Sequence, residues 1–191
     1  MIKNKDSLEV YYRDEAIKFI KKSTKVTNSG MHLKAFDFGT LEENTAKVVI
    51  FMLACSLKVN ATLTSIDLPG NNIGAKGAWL IAEALKANKT LTSLGLSNSD
   101  IGDKGAELIA EALKVNKTLT SIDLSENDIG DEGIKLITEA LKVNETLTSI
   151  DLRVNNIGAE GAKLIAEAIK VNETLTSIDL SENDIGDEGI K

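Results

Sequence analysis

The sequence is poor in the residues that build covalent links and metal centres. Its 191 residues include one cysteine, Cys55, one histidine, His32, and one proline, Pro69. A single cysteine excludes an intramolecular disulfide and a cysteine-built zinc site, and a single histidine excludes a multi-histidine centre. Aromatic residues make up only 4% of the chain, so we expect a core of leucine, isoleucine and alanine.

Long apolar runs are also missing. The longest extends from Val48 to Leu57, which is shorter than the roughly 20 residues that a membrane-spanning helix needs. The first residues lead into no hydrophobic segment of a secretory signal. We therefore expect a cytoplasmic protein that makes no contact with a membrane.

The net charge of −7 is unevenly distributed along the chain. Residues 1–61 hold ten basic and seven acidic residues, whereas residues 62–191 hold twelve and twenty-two. Such asymmetry indicates two different surfaces. Nucleic-acid binding needs a concentrated basic stripe, and the pattern of charges provides none, so no nucleic-acid partner is expected.

An internal repeat decides the architecture. The heptapeptide that starts at Thr62, TLTSIDL, returns in similar form at Thr90, Thr118, Thr146 and Thr174, a constant step of 28 residues. Self-similarity at such a period predicts a solenoid in which each repeat packs on its neighbours.

Each repeat combines two hydrophobic periods. Ile66 and Leu68 alternate with polar residues, which predicts a short strand near 66–68. Gly77, Ile81 and Leu85 recur at helical spacing. The residues expected to be buried in the helices are Ile81, Leu85, Leu108, Ile109 and Leu113. The positions expected of helix N-caps are Asp103, Asp131 and Asp187. The helix-ending asparagines, placed where a left-handed residue is tolerated, are Asn88, Asn116, Asn144 and Asn172.

The pattern Leu63-x-x-Ile66-x-Leu68-x-x-Asn71 resembles the leucine-rich repeat signature. The 28-residue length, with a helix opening near Gly77, resembles the ribonuclease-inhibitor-like subclass. The resemblance implies an α/β solenoid, a horseshoe arc with a parallel β-sheet on the concave face and helices on the convex face. It also implies that the Asn71 position satisfies buried backbone groups, so the shorter Ser99 should mark the weakest point of that column.

The resemblance covers residues 62–191, and the remaining residues read as its N-terminal end. Residues 31–61 look like a degenerate first repeat, with a strand pattern at 33–38 and a helix block at 46–60. Residues 1–30 read as a helical cap and connector, because the outer face of a terminal repeat has no neighbour to cover it.

The residues contain no pattern for catalysis or for a cofactor. A nucleophile–base pair would need a histidine, and the only one, His32, lies in the degenerate first repeat. Cys55 occupies a helix position held by Glu83 in the next copy, where partial exposure is expected unless the N-terminal cap covers it. The acidic loop beginning at Asp123 lacks the glycine and glutamate of a calcium loop, and no phosphate-binding loop is present. We expect no metal, no cofactor and no enzymatic activity.

Side chains of the strands that point away from the core should form columns on the concave face. One column is acidic, and it is the first candidate for partner binding. Its residues, with their neighbours at the strand ends, are Asp67, Asp123, Glu126, Asp151, Arg153, Asp179 and Glu182. They could serve a basic protein partner, or they could be a soluble strand sequence copied with each repeat.

An aromatic pair is the second candidate. Trp79 takes a helix position that is Glu107 in the next copy, and Phe51 takes the same position one repeat earlier. The pair should lie side by side on the convex face, where it would either anchor a partner or lie beneath the N-terminal helix.

The C-terminal copy, residues 174–191, has a strand and a turn but stops where earlier copies continue into a helix. Its strand should be an edge strand, so we expect weak self-association through residues 174–191, or fraying of that end. The function that the sequence favours is a non-catalytic protein-interaction module. The alternatives are a fragment of a larger regulator such as an immune sensor or a GTPase activator, a host-directed effector of an intracellular bacterium, and a structural piece without a partner.

Overall fold

The computed structural model describes residues 43–186, with side chains from residue 50 onward. The predicted cap 1–30, the strand pattern at 33–38, His32 and Asp187 lie outside the described residues. The helices are α1 (Glu43–Val59), α2 (Gly74–Ala87), α3 (Gly102–Leu113), α4 (Asp131–Leu141) and α5 (Ala159–Ile169). The strands are β1 (Ser65–Asp67), β2 (Ser93–Gly95), β3 (Ser121–Asp123), β4 (Ser149–Asp151) and β5 (Ser177–Asp179).

The five strands form one parallel sheet in sequence order, and each of α2 to α5 connects one strand to the next. The register advances by one repeat per strand, so that Ile66 pairs with Leu94, then Ile122, Ile150 and Ile178. The predicted α/β leucine-rich repeat solenoid is therefore confirmed. Each strand begins and ends one residue earlier than expected, at Ser65–Asp67 rather than 66–68.

The core runs between the sheet and the helices as a continuous layer of leucine, isoleucine and alanine. Ile81, Leu85, Ile109 and Leu113 are buried, as predicted. The expectation for Leu108 is wrong, because it is only partly buried at the margin of the core. Cys55, for which partial exposure is expected unless the N-terminal cap covers it, is buried, at 8% exposure.

The helix-ending asparagines join consecutive repeats through their side chains. Asn116 accepts hydrogen bonds from the Thr118 and Leu119 N–H groups and donates to the Leu85 carbonyl at 2.7 Å. Asn88, Asn144 and Asn172 repeat this pattern. The predicted left-handed conformation is wrong: Asn88 is extended, at φ −68° and ψ 139°, and from this backbone its amide bonds both to the next strand and to the preceding repeat.

A second column of asparagines holds the turn that follows each strand. Asn127 accepts from the Ser99 and Ile101 N–H groups of the preceding repeat and donates to the Leu96 carbonyl at 2.8 Å. Asn155 and Asn183 act in the same way. These side chains satisfy buried backbone groups that would otherwise be costly, and they fix the turns that carry several of the candidate residues.

Asp103 and Asp131 cap the helix of the following repeat rather than their own, so the N-cap prediction is wrong. The Asp103 carboxylate accepts from the Gly130 and Gly133 N–H groups at 2.7 and 3.1 Å. Asp131 does the same for Gly158 and Gly161. Both lie in the first turn of a helix whose N-cap residue makes no side-chain capping bond.

The conformation of the glycine at the start of a helix correlates with the presence of this bond. Gly130 and Gly158 receive it and are extended, at φ −98° and −92°. Gly102 and Gly186 follow repeats with Ala75 and Ala159 at the same position, and both are left-handed, at φ +58° and +65°. An aspartate in the preceding repeat therefore goes with an extended glycine at the start of the next helix, and an alanine goes with a left-handed glycine.

Candidate functional site

The strand register brings the acidic candidates into one row. Asp67, Gly95, Asp123, Asp151 and Asp179 occupy equivalent positions at the carboxyl ends of β1 to β5. Neighbouring positions in such a row are about 4.8 Å apart. The side chains lie on the face of the sheet opposite the core, where Asp67, Asp123 and Asp151 are half-buried and Asp179 is exposed. We call the seven candidates Asp67, Asp123, Glu126, Asp151, Arg153, Asp179 and Glu182 the acidic row.

Local hydrogen bonds orient two of these carboxylates. Asp123 accepts from the Ser125 N–H at 2.9 Å and from its hydroxyl at 2.7 Å. Asp179 makes the matching pair of bonds with Ser181, at 3.0 and 2.7 Å. These bonds lower the pKa of Asp179, with a smaller contribution from the positive charge of Arg153. In both carboxylates one oxygen accepts these bonds, and the carboxylate can still accept further hydrogen bonds.

Arg153 replaces that serine in the fourth copy and bridges two carboxylates. Its guanidinium lies 2.8 Å from one oxygen of Asp151 and 3.5 Å from one of Asp179. The hydrogen bond to Asp151 is the main cause of a raised Arg153 pKa, and the charges of Asp151, Asp179 and Asp123 add to it. The acidic row therefore contains one positively charged group, the Arg153 guanidinium, between β4 and β5.

Asp67 differs from the other carboxylates because Pro69 stands where they have a serine or an arginine. Proline has no N–H to donate, so the bond that holds Asp123 and Asp179 cannot form. The Asp67 carboxylate lies across Gly95 instead: a Cβ added to that glycine would collide with an Asp67 oxygen. Gly95, the break in the acidic column, leaves the space that this carboxylate occupies.

Glu126 and Glu182 lie in the turn after the strand, at φ +56° and +58°. Both are exposed. The equivalent residue of the fourth copy is Val154, at φ +51° and 41% exposed. A β-branched residue in this region is a genuine outlier. The turn therefore places a carboxylate beside the row in the third and fifth copies and an apolar side chain in the fourth.

The serine at the second residue after the aspartate is what sequence reasoning overlooked. The signal was present, since Asp123-x-Ser125 and Asp179-x-Ser181 recur and Asp67-x-Pro69 breaks the pattern. The threonines just before the strands bond within the fold. The hydroxyl of each donates to the threonine carbonyl of the preceding repeat in four copies, at Thr92, Thr120, Thr148 and Thr176.

Of the aromatic candidates, Trp79 is 51% exposed on α2, whereas Phe51 on α1 is half-buried. The two helices pack against each other. The residues of the predicted N-terminal helix lie outside the described part of the chain. Trp79 is therefore an exposed aromatic residue on the helical side of the solenoid, away from the acidic row.

Among residues 43–186, no group of histidine, cysteine, aspartate and glutamate side chains is arranged to hold a metal ion. Within the same range, no helix is both long and apolar enough to cross a bilayer.

Comparison with known proteins identifies the family. The leucine-rich domain of the TMOD/LMOD family matches residues 78–181, and a general leucine-rich repeat matches residues 59–82. No curated protein sequence gives a significant match.

Two solved structures show the same fold. Actin-binding site 2 of leiomodin-1 is 31% identical with a TM-score of 0.65, and the alignment covers 69% of this chain and 79% of that one. The C-terminal domain of a Caenorhabditis elegans tropomodulin is 17% identical with a TM-score of 0.63, covering 69% and 82%. The family match covers more than half of the chain, and the chain therefore belongs to the TMOD/LMOD leucine-rich domain family.

Proposed function

We propose that the chain is a non-catalytic protein-binding module whose partner is actin. The observation that carries the proposal is the 31% identity, over 69% of this chain, to a structure described as an actin-binding site of leiomodin-1. We also propose a cytoplasmic location. The 28-residue, helix-containing repeat supports the ribonuclease-inhibitor-like subclass as the finer structural assignment.

We propose that the acidic row forms part of the binding surface. It holds six carboxylates and one guanidinium along the open face of a rigid sheet. The oxygens that Ser125, Ser181 and Arg153 do not occupy can accept bonds from lysine or arginine side chains. The partner surface that fits is one with basic side chains aligned along the sheet.

Binding to purified actin, as monomer and as filament, tests the partner. We expect the chain to bind one of the two forms in a titration or a co-sedimentation assay. A chain that binds neither would overturn actin as the partner, and capture from a cell lysate followed by mass spectrometry would then identify the protein that it binds.

Charge reversal tests the surface separately. Asp123→Lys together with Asp151→Lys should weaken binding and flatten its dependence on salt, because a charge-steered contact is screened by ions. The matched control is Glu111→Lys together with Glu139→Lys, which reverses two charges on the helices. Equal binding by both double variants at low and high salt would show that the acidic row is a soluble surface only.

A second candidate surface is centred on Trp79, because a half-exposed tryptophan is the type of residue that anchors interfaces. It is the only tryptophan in the sequence, so its fluorescence reports directly on its surroundings. If this surface binds the partner, the emission should shift on binding, and Trp79→Glu, which copies Glu107 of the next repeat, should weaken binding. An unchanged emission spectrum would assign binding elsewhere.

A further inference from the structure

A line of exposed apolar side chains follows the edge of the solenoid where each helix ends and the chain turns toward the next strand. The residue just before the helix-ending asparagine is exposed in every described copy. These residues are Val59, Ala87, Val115, Val143 and Val171, and we call the four valines the valine edge. Val115 and Val143 are 52% and 54% exposed. Both have a described repeat on either side, so their exposure is a property of the repeat itself.

The fold does not require a valine at this position. Ala87 stands there in one copy, and the asparagine that follows it, Asn88, makes the same bond to the preceding repeat as Asn116 does, at 2.7 Å in both cases. Single exposed apolar residues are ordinary on a protein surface, whereas several that share one surface mark an interaction site. The valine edge therefore points to a partner rather than to packing within the chain.

The spacing of the valine edge is fixed by the asparagines beside it. Asn116 donates to the Leu85 carbonyl and Asn144 to the Leu113 carbonyl, both at 2.7 Å. Repeats are about 4.8 Å apart at the strands and about 8–10 Å apart at the helices, so the spacing at this edge is intermediate. A helix laid along the edge rises about 6 Å in four residues, and it can present one apolar side chain to each repeat.

The charge beside the valine edge is positive, although the chain as a whole is acidic. Lys89, Lys117 and Lys142 each lie within two residues of a member of the line, and all three are exposed. None of the ion pairs among residues 50–186 includes them. Lys114, in contrast, pairs with Glu111 at 2.7 Å. Three ammonium groups beside the middle of the edge are thus available to carboxylates of a partner.

The backbone at this edge is already bonded within the chain. The N–H groups of Val115 and Asn116 donate to the Ala112 carbonyl. Those of Thr118 and Leu119 donate to the Asn116 side chain. A partner that adds a strand needs free backbone groups. The partner of this edge therefore binds through side chains, as a helix does.

We propose that the valine edge, with Lys89, Lys117 and Lys142, binds an acidic amphipathic helix of a protein partner. The apolar face of that helix covers the valines, and glutamates or aspartates along its margins meet the lysines. Its charge is opposite to that of a partner for the acidic row. The two surfaces are therefore separate, and the valine edge does not require actin as its partner.

A synthetic peptide tests the class of partner. The probe is a fluorescein-labelled helical peptide of about 18 residues, long enough to span roughly 27 Å, with leucines on one face and glutamates along both margins. Fluorescence anisotropy with the full chain should show binding that weakens as salt is added. The control has the same composition in an order that leaves no apolar face. Equal binding of the two peptides, or binding of neither, would overturn the proposal.

Two pairs of substitutions locate the site. Lys89→Glu with Lys117→Glu should weaken peptide binding about tenfold, since two attractive contacts become repulsive, and Glu145 in the next copy shows that the fold accepts this residue. Val115→Ala with Val143→Ala, which copies Ala87, should weaken it about fivefold through lost apolar contact. The matched control, Lys76→Glu with Lys104→Glu, makes the same change of charge at the other ends of α2 and α3. Equal binding by all three variants would overturn the site.

Vesicles of equal parts phosphatidylcholine and phosphatidylserine distinguish a protein partner from a lipid surface, because both could use lysines beside apolar side chains. We expect the full chain not to co-sediment with these vesicles. Co-sedimentation that Lys89→Glu with Lys117→Glu abolishes would overturn the proposal and assign the valine edge to an anionic lipid surface.

Discussion

At the scale of single residues, Val154 is the clearest case of strain. It is held at φ +51° and is 41% exposed, so its backbone conformation is unfavourable and its side chain gains little stabilisation from packing. The equivalent positions of the first two copies are Gly70 and Asn98, both also at positive φ. Asparagine and glycine adopt this conformation readily, and a β-branched residue does not.

Val154→Asn should therefore stabilise the chain by about 1 kcal/mol, the usual cost of the left-handed region for such residues. The midpoint of urea unfolding should rise with no change in its slope. The reverse substitution, Asn98→Val, should lower the midpoint by a similar amount. If Val154→Asn lowers stability, the valine makes a contact that outweighs its strain.

The pKa of Asp179 provides a second test at this scale. Its pKa lies below the ordinary value of 3.8, mainly because of its bonds with Ser181. A carboxyl with a lowered pKa stabilises the fold above its unfolded pKa, and this contribution is lost as the pH falls through the lowered value. Ser181→Ala should raise the Asp179 pKa toward 3.8, as measured by carboxyl NMR titration. Ser177→Ala, which changes no bond to Asp179, should leave it in place.

At the scale of elements, the entry into each helix is controlled by the repeat before it. Asp131→Ala removes the acceptor for the Gly158 and Gly161 N–H groups and should cost about 1 kcal/mol, as the loss of a helix cap does. Glu132→Ala is the matched control, since it removes a neighbouring carboxylate from the same helical turn. Equal unfolding midpoints for the two variants would show that the Asp131 bonds contribute nothing to stability.

The column of asparagines that holds the turn after each strand contains one serine, Ser99. Exchanging serine and asparagine at this position tests how much the longer side chain stabilises the fold. Ser99 donates to the Leu68 carbonyl at 3.3 Å, whereas Asn127 reaches the equivalent Leu96 carbonyl at 2.8 Å. Ser99→Asn should add an amide that bonds in both directions and raise stability by about 1 kcal/mol. Asn127→Ser should lower it by at least as much. A loss of stability in Ser99→Asn would show that the site lacks space for the amide.

The elements were predictable, and the bonds between them were not. Period-two and helical spacing around Ile66 and Ile81 reflect which face of each element is buried, so the sequence carries that information locally. The role of Asp103 depends on a glycine 27 residues further along the chain. A local pattern assigns such a residue to its own helix, as the N-cap prediction did. Similarly, the serines that orient the acidic row were visible only as an unexplained recurrence.

At the scale of the whole molecule, each repeat is stabilised by the hydrophobic core layer that it shares with its neighbours. Leu113 is fully buried in that layer, and Leu108 lies at its margin. Leu113→Ala should cost roughly 2–5 kcal/mol, because the cavity cannot close between two packed repeats. Leu108→Ala should cost clearly less. Denaturant unfolding measures both, and equal losses would mean that the core extends to the outer side of α3.

The link from Asp131 to Gly158 also determines where one module ends and the next begins. Suppose that a repeat is defined as one strand and the helix that follows it. Such a repeat contains the carboxylate that caps the next helix, and the glycines that are capped by the carboxylate of the repeat before. If a repeat were duplicated or exchanged with such boundaries, each junction could lose its acceptor or gain an unmatched one. The transferable unit therefore extends from the carboxylate of one helix to the glycines of the next. A repeat with alanine at this position, such as Ala75 or Ala159, supplies no carboxylate. It can therefore precede a helix that starts at a left-handed glycine without any loss of stability, but not a helix that starts at an extended one.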